Sequence, residues 1–125
     1  MKMVPRILIC DDKNFEALEY RQILESRGLR VVKIFSNGQE LLEWVRQNPR
    51  SADIVLLDII MPVLDGYAAF HELRKEAPDL KVIFISVENS APLIKTVLAM
   101  GALDFITRPV KRDVLAERLL KAVGR

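Results

Sequence analysis

The stretch Ile54-Val55-Leu56-Leu57-Asp58-Ile59-Ile60-Met61-Pro62-Val63-Leu64-Asp65-Gly66 decides how this chain folds. Its first four residues are continuously apolar, the pattern of a parallel strand covered on both faces rather than of a half-wet strand that alternates. Asp58 ends the run, and Asp65-Gly66 opens a helical segment that reaches Ala77 before Pro78. Two further runs, Ile7-Leu8-Ile9-Cys10 and Val82-Ile83-Phe84-Ile85, share the uniform apolar character and predict two more central strands. Arg30-Val31-Val32-Lys33-Ile34-Phe35 and Leu103-Asp104-Phe105-Ile106 are less uniform and read as strands nearer a sheet edge.

The segments between them carry helical spacing and helix punctuation. Residues 14–27 place Ala17, Tyr20 and Leu24 at steps of three and four, with Gly28 as the cap, and Gly38 to Gln47 stripes Leu41, Leu42 and Val45. Asn89-Ser90-Ala91-Pro92 is a helix start that runs to Gly101, and the final helix follows Arg108-Pro109 with Leu115, Leu119 and Ala122. Strand and helix alternate five times without a linker or low-complexity segment, so the expected class is α/β. Right-handed crossovers leave few topologies, and the flavodoxin-like, doubly wound five-stranded parallel sheet of order 2-1-3-4-5 with five helices is the common one.

The 125 residues fit one domain over 1–125, and a chain of that size buries roughly two-thirds of its unfolded surface without needing a staple. One cysteine excludes an intrachain disulfide framework and a multi-cysteine zinc site, and one histidine leaves little for soft-metal or nucleophile–imidazole chemistry. The 19 basic residues nearly balance 17 acidic ones and are interspersed, which is unlike the one-sided basic face of a nucleic-acid binder. No apolar run approaches the roughly 18 residues of a membrane span, nor does the N-terminus hold a secretory core. A cytoplasmic location is expected, and the chemistry must come from carboxylates, hydroxyls and basic groups.

In doubly wound sheets ligands bind beyond the carboxyl ends of the strands. Those ends are Asp11-Asp12, Asp58, Ser86 and, after Thr107, Arg108-Pro109. One Asp after a strand is ordinarily a turn former or helix cap. Acidic groups ending two adjacent strands repel one another unless a cation or proton intervenes, and an oxygen-only ligand set favours a hard ion such as Mg²⁺. An Asp beside such an ion can attack a phosphoryl group.

With these residues in place, the whole chain resembles the receiver domain of two-component response regulators, in its single-domain, chemotaxis-regulator-like form. Asp11-Asp12 is similar to that family's acidic pair, and Val55 to Gly66 to its phosphoacceptor strand and loop, with Met61-Pro62 and Asp65-Gly66 in register. Ser86 matches the Thr/Ser ending the fourth strand, and Ala102 to Pro109 the fifth strand, except that the usual lysine is Arg108. The resemblance implies Asp58 as phosphoacceptor; Asp12, Asp58 and the Ile60 backbone carbonyl as Mg²⁺ ligands; and Asp11 acting largely through bound water. It implies that Ser86 holds a phosphoryl oxygen and that Phe105 is the switch aromatic, with a plain core Phe as the alternative. It further implies a cis Arg108-Pro109 bond, a histidine kinase or phosphotransfer protein as donor, and an output surface on the fourth helix, fifth strand and fifth helix.

Arg108 departs from the pattern. Arginine is a planar fork that pairs two carboxylate oxygens, whereas lysine is a compact point charge. Arg108 either clamps Asp58 and hinders the metal, or swings aside and serves the phosphate. The chain is therefore expected to be a phosphoacceptor regulator, not an enzyme on an external metabolite. The alternative is a phosphorylation-independent pseudo-receiver interaction module. An Asp-nucleophile phosphohydrolase would show a second Asp two positions after the first, where Ile60 stands. His71 reads as a surface residue, Cys10 and Trp44 as packing residues, and Lys111, Arg112, Arg118 and Lys121 as solvated charges. Leu93, Ile94, Val97 and Leu98 form the apolar stripe of the fourth helix, whose weakly polar opposite side suits a partner protein. Monomer or weak dimer is expected.

Overall fold

The computed structural model describes residues 3–124. The elements run β1 (Arg6–Cys10), α1 (Asn14–Glu25), β2 (Arg30–Phe35), α2 (Gly38–Gln47), β3 (Ile54–Asp58), α3 (Gly66–Glu76), β4 (Lys81–Ser86), α4 (Ala91–Ala99), β5 (Asp104–Thr107) and α5 (Arg112–Ala122). All sheet pairs are parallel, in the order β2-β1-β3-β4-β5, so the expected topology and the two edge strands are as read.

Strand alternation divides the core in two. Leu8, Val55, Leu57, Val82 and Phe84 face α2, α3 and α4, where Phe35, Phe70 and Phe105 make this layer aromatic. Ile7, Ile9, Ile54, Leu56, Ile83 and Ile85 face α1 and α5 and meet Ala17, Leu24, Leu115 and Leu119, an almost wholly aliphatic layer. Successive side chains on a strand point to opposite faces, so each central strand must be apolar throughout.

Several boundaries move by a residue or two. α1 ends at Glu25 rather than running to residue 27, because the Ser26 hydroxyl bonds the Ile23 carbonyl and Gly28 turns the chain at φ +85°. β5 is Asp104–Thr107, one residue later than expected, which leaves Leu103 exposed outside the ladder. α2, α3 and α4 are capped by Asn37, Asp65 and Ser90, each accepting a backbone N–H of the first turn. On α4 only Val97 is fully buried; Leu93 and Ile94 are half-buried, and Leu98 is 42% exposed, which takes Leu98 out of the apolar stripe. Arg118 is no free solvated charge: it makes a two-pronged pair with Asp104 that ties α5 to β5. Trp44 packs on Phe35 at 5.8 Å between ring centroids, Cys10 is fully buried and His71 is exposed, as expected.

Candidate functional site

The carboxyl ends of β1, β3, β4 and β5 lie side by side at one edge of the sheet. Strand register places Asp58 opposite Ile85 and Ser86 opposite Thr107, so Ser86 lies one step beyond Asp58 on the neighbouring strand. The Arg108 N–H donates to the Ser86 carbonyl at 3.0 Å and holds the β5–α5 connection against the end of β4. The Arg108-Pro109 bond is cis.

Glycine makes the approach of the β3–α3 loop possible. A Cβ on Gly66 would lie 1.9 Å from the Asp58 carbonyl oxygen, and the Gly66 N–H donates to Ile59 at 2.8 Å. Between them the loop is tight: the Leu64 N–H donates to the Pro62 carbonyl at 2.7 Å, a three-residue turn centred on Val63 at φ +67°. A positive φ at a β-branched residue is strained, and such strain concentrates beside functional groups.

Asp11, Asp12 and Asp58 each offer a carboxylate oxygen within 4.8 Å of the other two. Asp11 and Asp58 are buried, and Asp12 is at the surface. Two basic side chains meet them. Arg108, itself buried, donates from Nη2 to Asp11 Oδ2 at 2.9 Å and lies 3.3 Å from Asp58 Oδ2, while Nη1 is 3.1 Å from Glu16 Oε2. Its guanidinium sits 5.9 Å from the Tyr20 ring centroid, and its Nε is a buried donor without a hydrogen-bond partner among the described residues. Arg108 hydrogen-bonds Asp11 and lies farther from Asp58, so its contacts do not fall on Asp58 alone.

Lys13 is the site residue that sequence reasoning missed. Its ammonium lies 2.8 Å from Asp58, 3.0 Å from Asp12 and 3.4 Å from Asp11, touching all three carboxylates. The signal was its position immediately after the acidic pair, which carries no charge periodicity of its own. Glu16 and Tyr20, one turn apart on α1, were likewise visible only as helix residues.

Burial pushes the Asp11 carboxyl up, and the Lys13 N–H and the Arg108 charge offset this only partly. Burial works against the charge on Lys13, but hydrogen bonds to Asp58 and Asp12 outweigh it and push its ammonium up. Burial also raises the Tyr20 hydroxyl to about 12. Ser86 is fully buried, its Oγ accepting the Glu88 N–H at 3.1 Å. Phe105 is turned inward, 6.2 Å from Phe84 between ring centroids. Ile60, in the loop after Asp58, is exposed.

The donor set suits a hard cation: three clustered carboxylates with one ammonium already drawn among them. No helix among the described residues is long and apolar enough to cross a membrane.

The family model for the response regulator receiver domain matches residues 7–120. The chemotaxis protein CheY of Bacillus subtilis is 32% identical over 122 residues, covering 98% of this chain and 100% of the relative. CheY of Treponema pallidum is 32% identical over 91% of this chain and 79% of its own length. In a crystal structure of a CheX–CheY–BeF3–Mg²⁺ complex from Borrelia burgdorferi, the matching chain has a TM-score of 0.92 and 29% identity, covering 97% of this chain and 90% of that one.

Proposed function

This chain belongs to the response regulator receiver domain family, and on that premise we propose that it is a phosphoacceptor signalling switch phosphorylated on Asp58. Receiver domains are regulatory modules, and the chemistry assigned here serves the chain's own modification. The observation that carries the reading is the meeting of Asp11, Asp12 and Asp58 at one sheet edge beside the buried Arg108.

An Asp58 carboxylate oxygen attacks the phosphorus of a phosphohistidine on a kinase or phosphotransfer protein. The P–N bond breaks, its electron pair leaves with the imidazole nitrogen, which takes a proton, and an acyl phosphate forms on Asp58. Asp12, Asp58 and the Ile60 carbonyl would hold Mg²⁺, with Asp11 assisting through a bound water. When bound, the ion neutralises charge on the phosphoryl oxygens. Arg108 supplies a second positive charge, and its unpartnered Nε is a donor for which a phosphoryl oxygen is a suitable acceptor.

Phosphate then draws the Ser86 hydroxyl from its turn with Glu88, and Phe105, packed on Phe84, transmits the change to α4, β5 and α5. α4 buries only Val97 fully, so its attachment is light enough to shift and its surface is free for a downstream protein.

Incubation with acetyl phosphate and Mg²⁺ followed by intact mass tests the assignment. One phosphoryl adduct is expected on the native chain and none on Asp58→Asn; an adduct persisting in the variant refutes Asp58 as the site. A second reading, a phosphorylation-independent interaction module, is favoured by the seating of Arg108 between Asp11 and Asp58. Absence of any spectral response to beryllofluoride and Mg²⁺ would establish it.

A further inference from the structure

We infer that the Lys13 ammonium is the resident counter-ion of the acidic cluster and competes with a divalent cation for it, so that Lys13 sets how readily the resting chain takes up metal. This rests on the reading of Asp11, Asp12 and Asp58 as the cation site.

Lys13 touches every member of the cluster, at 2.8, 3.0 and 3.4 Å. Its backbone prepares this reach: the Lys13 N–H donates to Asp11 Oδ1 at 2.9 Å, fixing an extended residue at the start of α1. Arg108 does not do the same work, because its fork is divided among Asp11, Asp58 and Glu16. The carboxylates that meet the ammonium therefore stay under-compensated without it.

The two cations also differ in freedom. The Arg108 side chain is 6% exposed and lies against Tyr20, whereas that of Lys13 is 43% exposed on a flexible stem with an open path to water. A divalent ion coordinated by the same oxygens would lie within a few ångströms of the ammonium, and like charges at that distance repel strongly. Lys13 is the cation able to leave, and metal uptake requires that it do so.

Binding of Mn²⁺, read from the free-ion EPR signal and then displaced with Mg²⁺, tests this directly. Lys13→Met is expected to tighten Mn²⁺ about tenfold, equivalent to about 1.4 kcal/mol, and Lys13→Gln to act in the same direction. Lys33→Met removes a charge from a cleft that Asp11 and Asp12 line, and is expected to change affinity by about twofold or less. Equal affinities for the native chain and Lys13→Met, with binding lost in Asp58→Asn, would overturn the inference and leave the cation site standing. Tightening by Lys33→Met as large as that by Lys13→Met would overturn it too, reducing the effect to a general field. Absence of Mn²⁺ binding in every variant would overturn the cation-site reading and the inference together. In the native chain, a protected Lys13 ammonium resonance in ¹H–¹⁵N spectra is expected to vanish on Mg²⁺ addition; its persistence in the metal-bound chain would refute displacement.

Discussion

The two edges of the sheet use the same residue types to opposite ends. At the amino edge, Asp53 and Arg6 pair one to one: the Arg6 N–H, Nε and Nη2 donate to the Asp53 carboxylate at 2.8, 3.3 and 3.1 Å. That pairing, Arg6 hydrogen bonding first, holds the Asp53 carboxyl below its ordinary value. At the carboxyl edge three acids share Lys13 and one arm of Arg108, and burial raises the Asp11 carboxyl instead. The amino-edge pair is satisfied and fastens β1 to the start of β3. The carboxyl-edge cluster keeps one acid, Asp11, that is costly to ionise, and a cation gains by binding where the protein's own charges are poorly matched.

The most damaging change is expected at the carboxyl edge. Gly66→Ala drives a Cβ onto the Asp58 carbonyl and should cost about 3 kcal/mol or more by urea unfolding. A loss below about 1 kcal/mol would mean that this edge yields, and is not held as closely as the geometry has it.

Arg108→Lys frees the fork that spans Asp11 and Asp58, and adduct formation with acetyl phosphate should accelerate by about tenfold, or about 1.4 kcal/mol of barrier. An unchanged rate would show that Arg108 does not hinder phosphorylation.

Asp53→Asn and Asp11→Asn test the contrast itself by thermal unfolding against pH. The folded Asp53 value lies below the unfolded one of about 3.9, so its stabilisation is complete above that value and drains away as pH falls through the folded value. Asp53→Asn should therefore lower Tm modestly at neutral pH and converge with the native chain in acid. Asp11 has the opposite sign: its folded value is raised, so its ionisation costs stability as pH climbs from the unfolded value through the folded one. Asp11→Asn should hold or gain up to about 1 kcal/mol at pH 7. If both variants lose stability alike, the two edges do not differ.

The smallest effect is expected at the strained turn. Val63→Gly relieves the positive φ but frees the unfolded chain, leaving a net gain under about 1 kcal/mol by urea unfolding.

Backbone architecture was legible because its determinants are local. Ile7 to Cys10, Ile54 to Leu57 and Val82 to Ile85 are apolar at every step, and only a strand between two helical layers buries both faces. Asp65-Gly66, Ser90 and Pro92 marked helix starts by capping chemistry that acts within a turn. Errors arose where a tertiary contact decides: Leu103 left the β5 ladder, Leu98 stayed in solvent, and Arg118 found Asp104 across the α5–β5 packing.

The site divides in the same way. From its own sequence the chain determined which carboxylates end which strands, that Asp65-Gly66 opens a helix after the loop that follows Asp58, and that Arg108 follows the fifth strand. Tertiary structure alone decided that Arg108 leans closest to Asp11 and also reaches Glu16, and that Lys13 spans Asp11, Asp12 and Asp58. Spacing along the chain specifies which strand or helix a residue occupies. Which charges share a few ångströms depends on how β1, β3 and the β5–α5 connection pack, and Coulomb energies follow that distance rather than sequence separation.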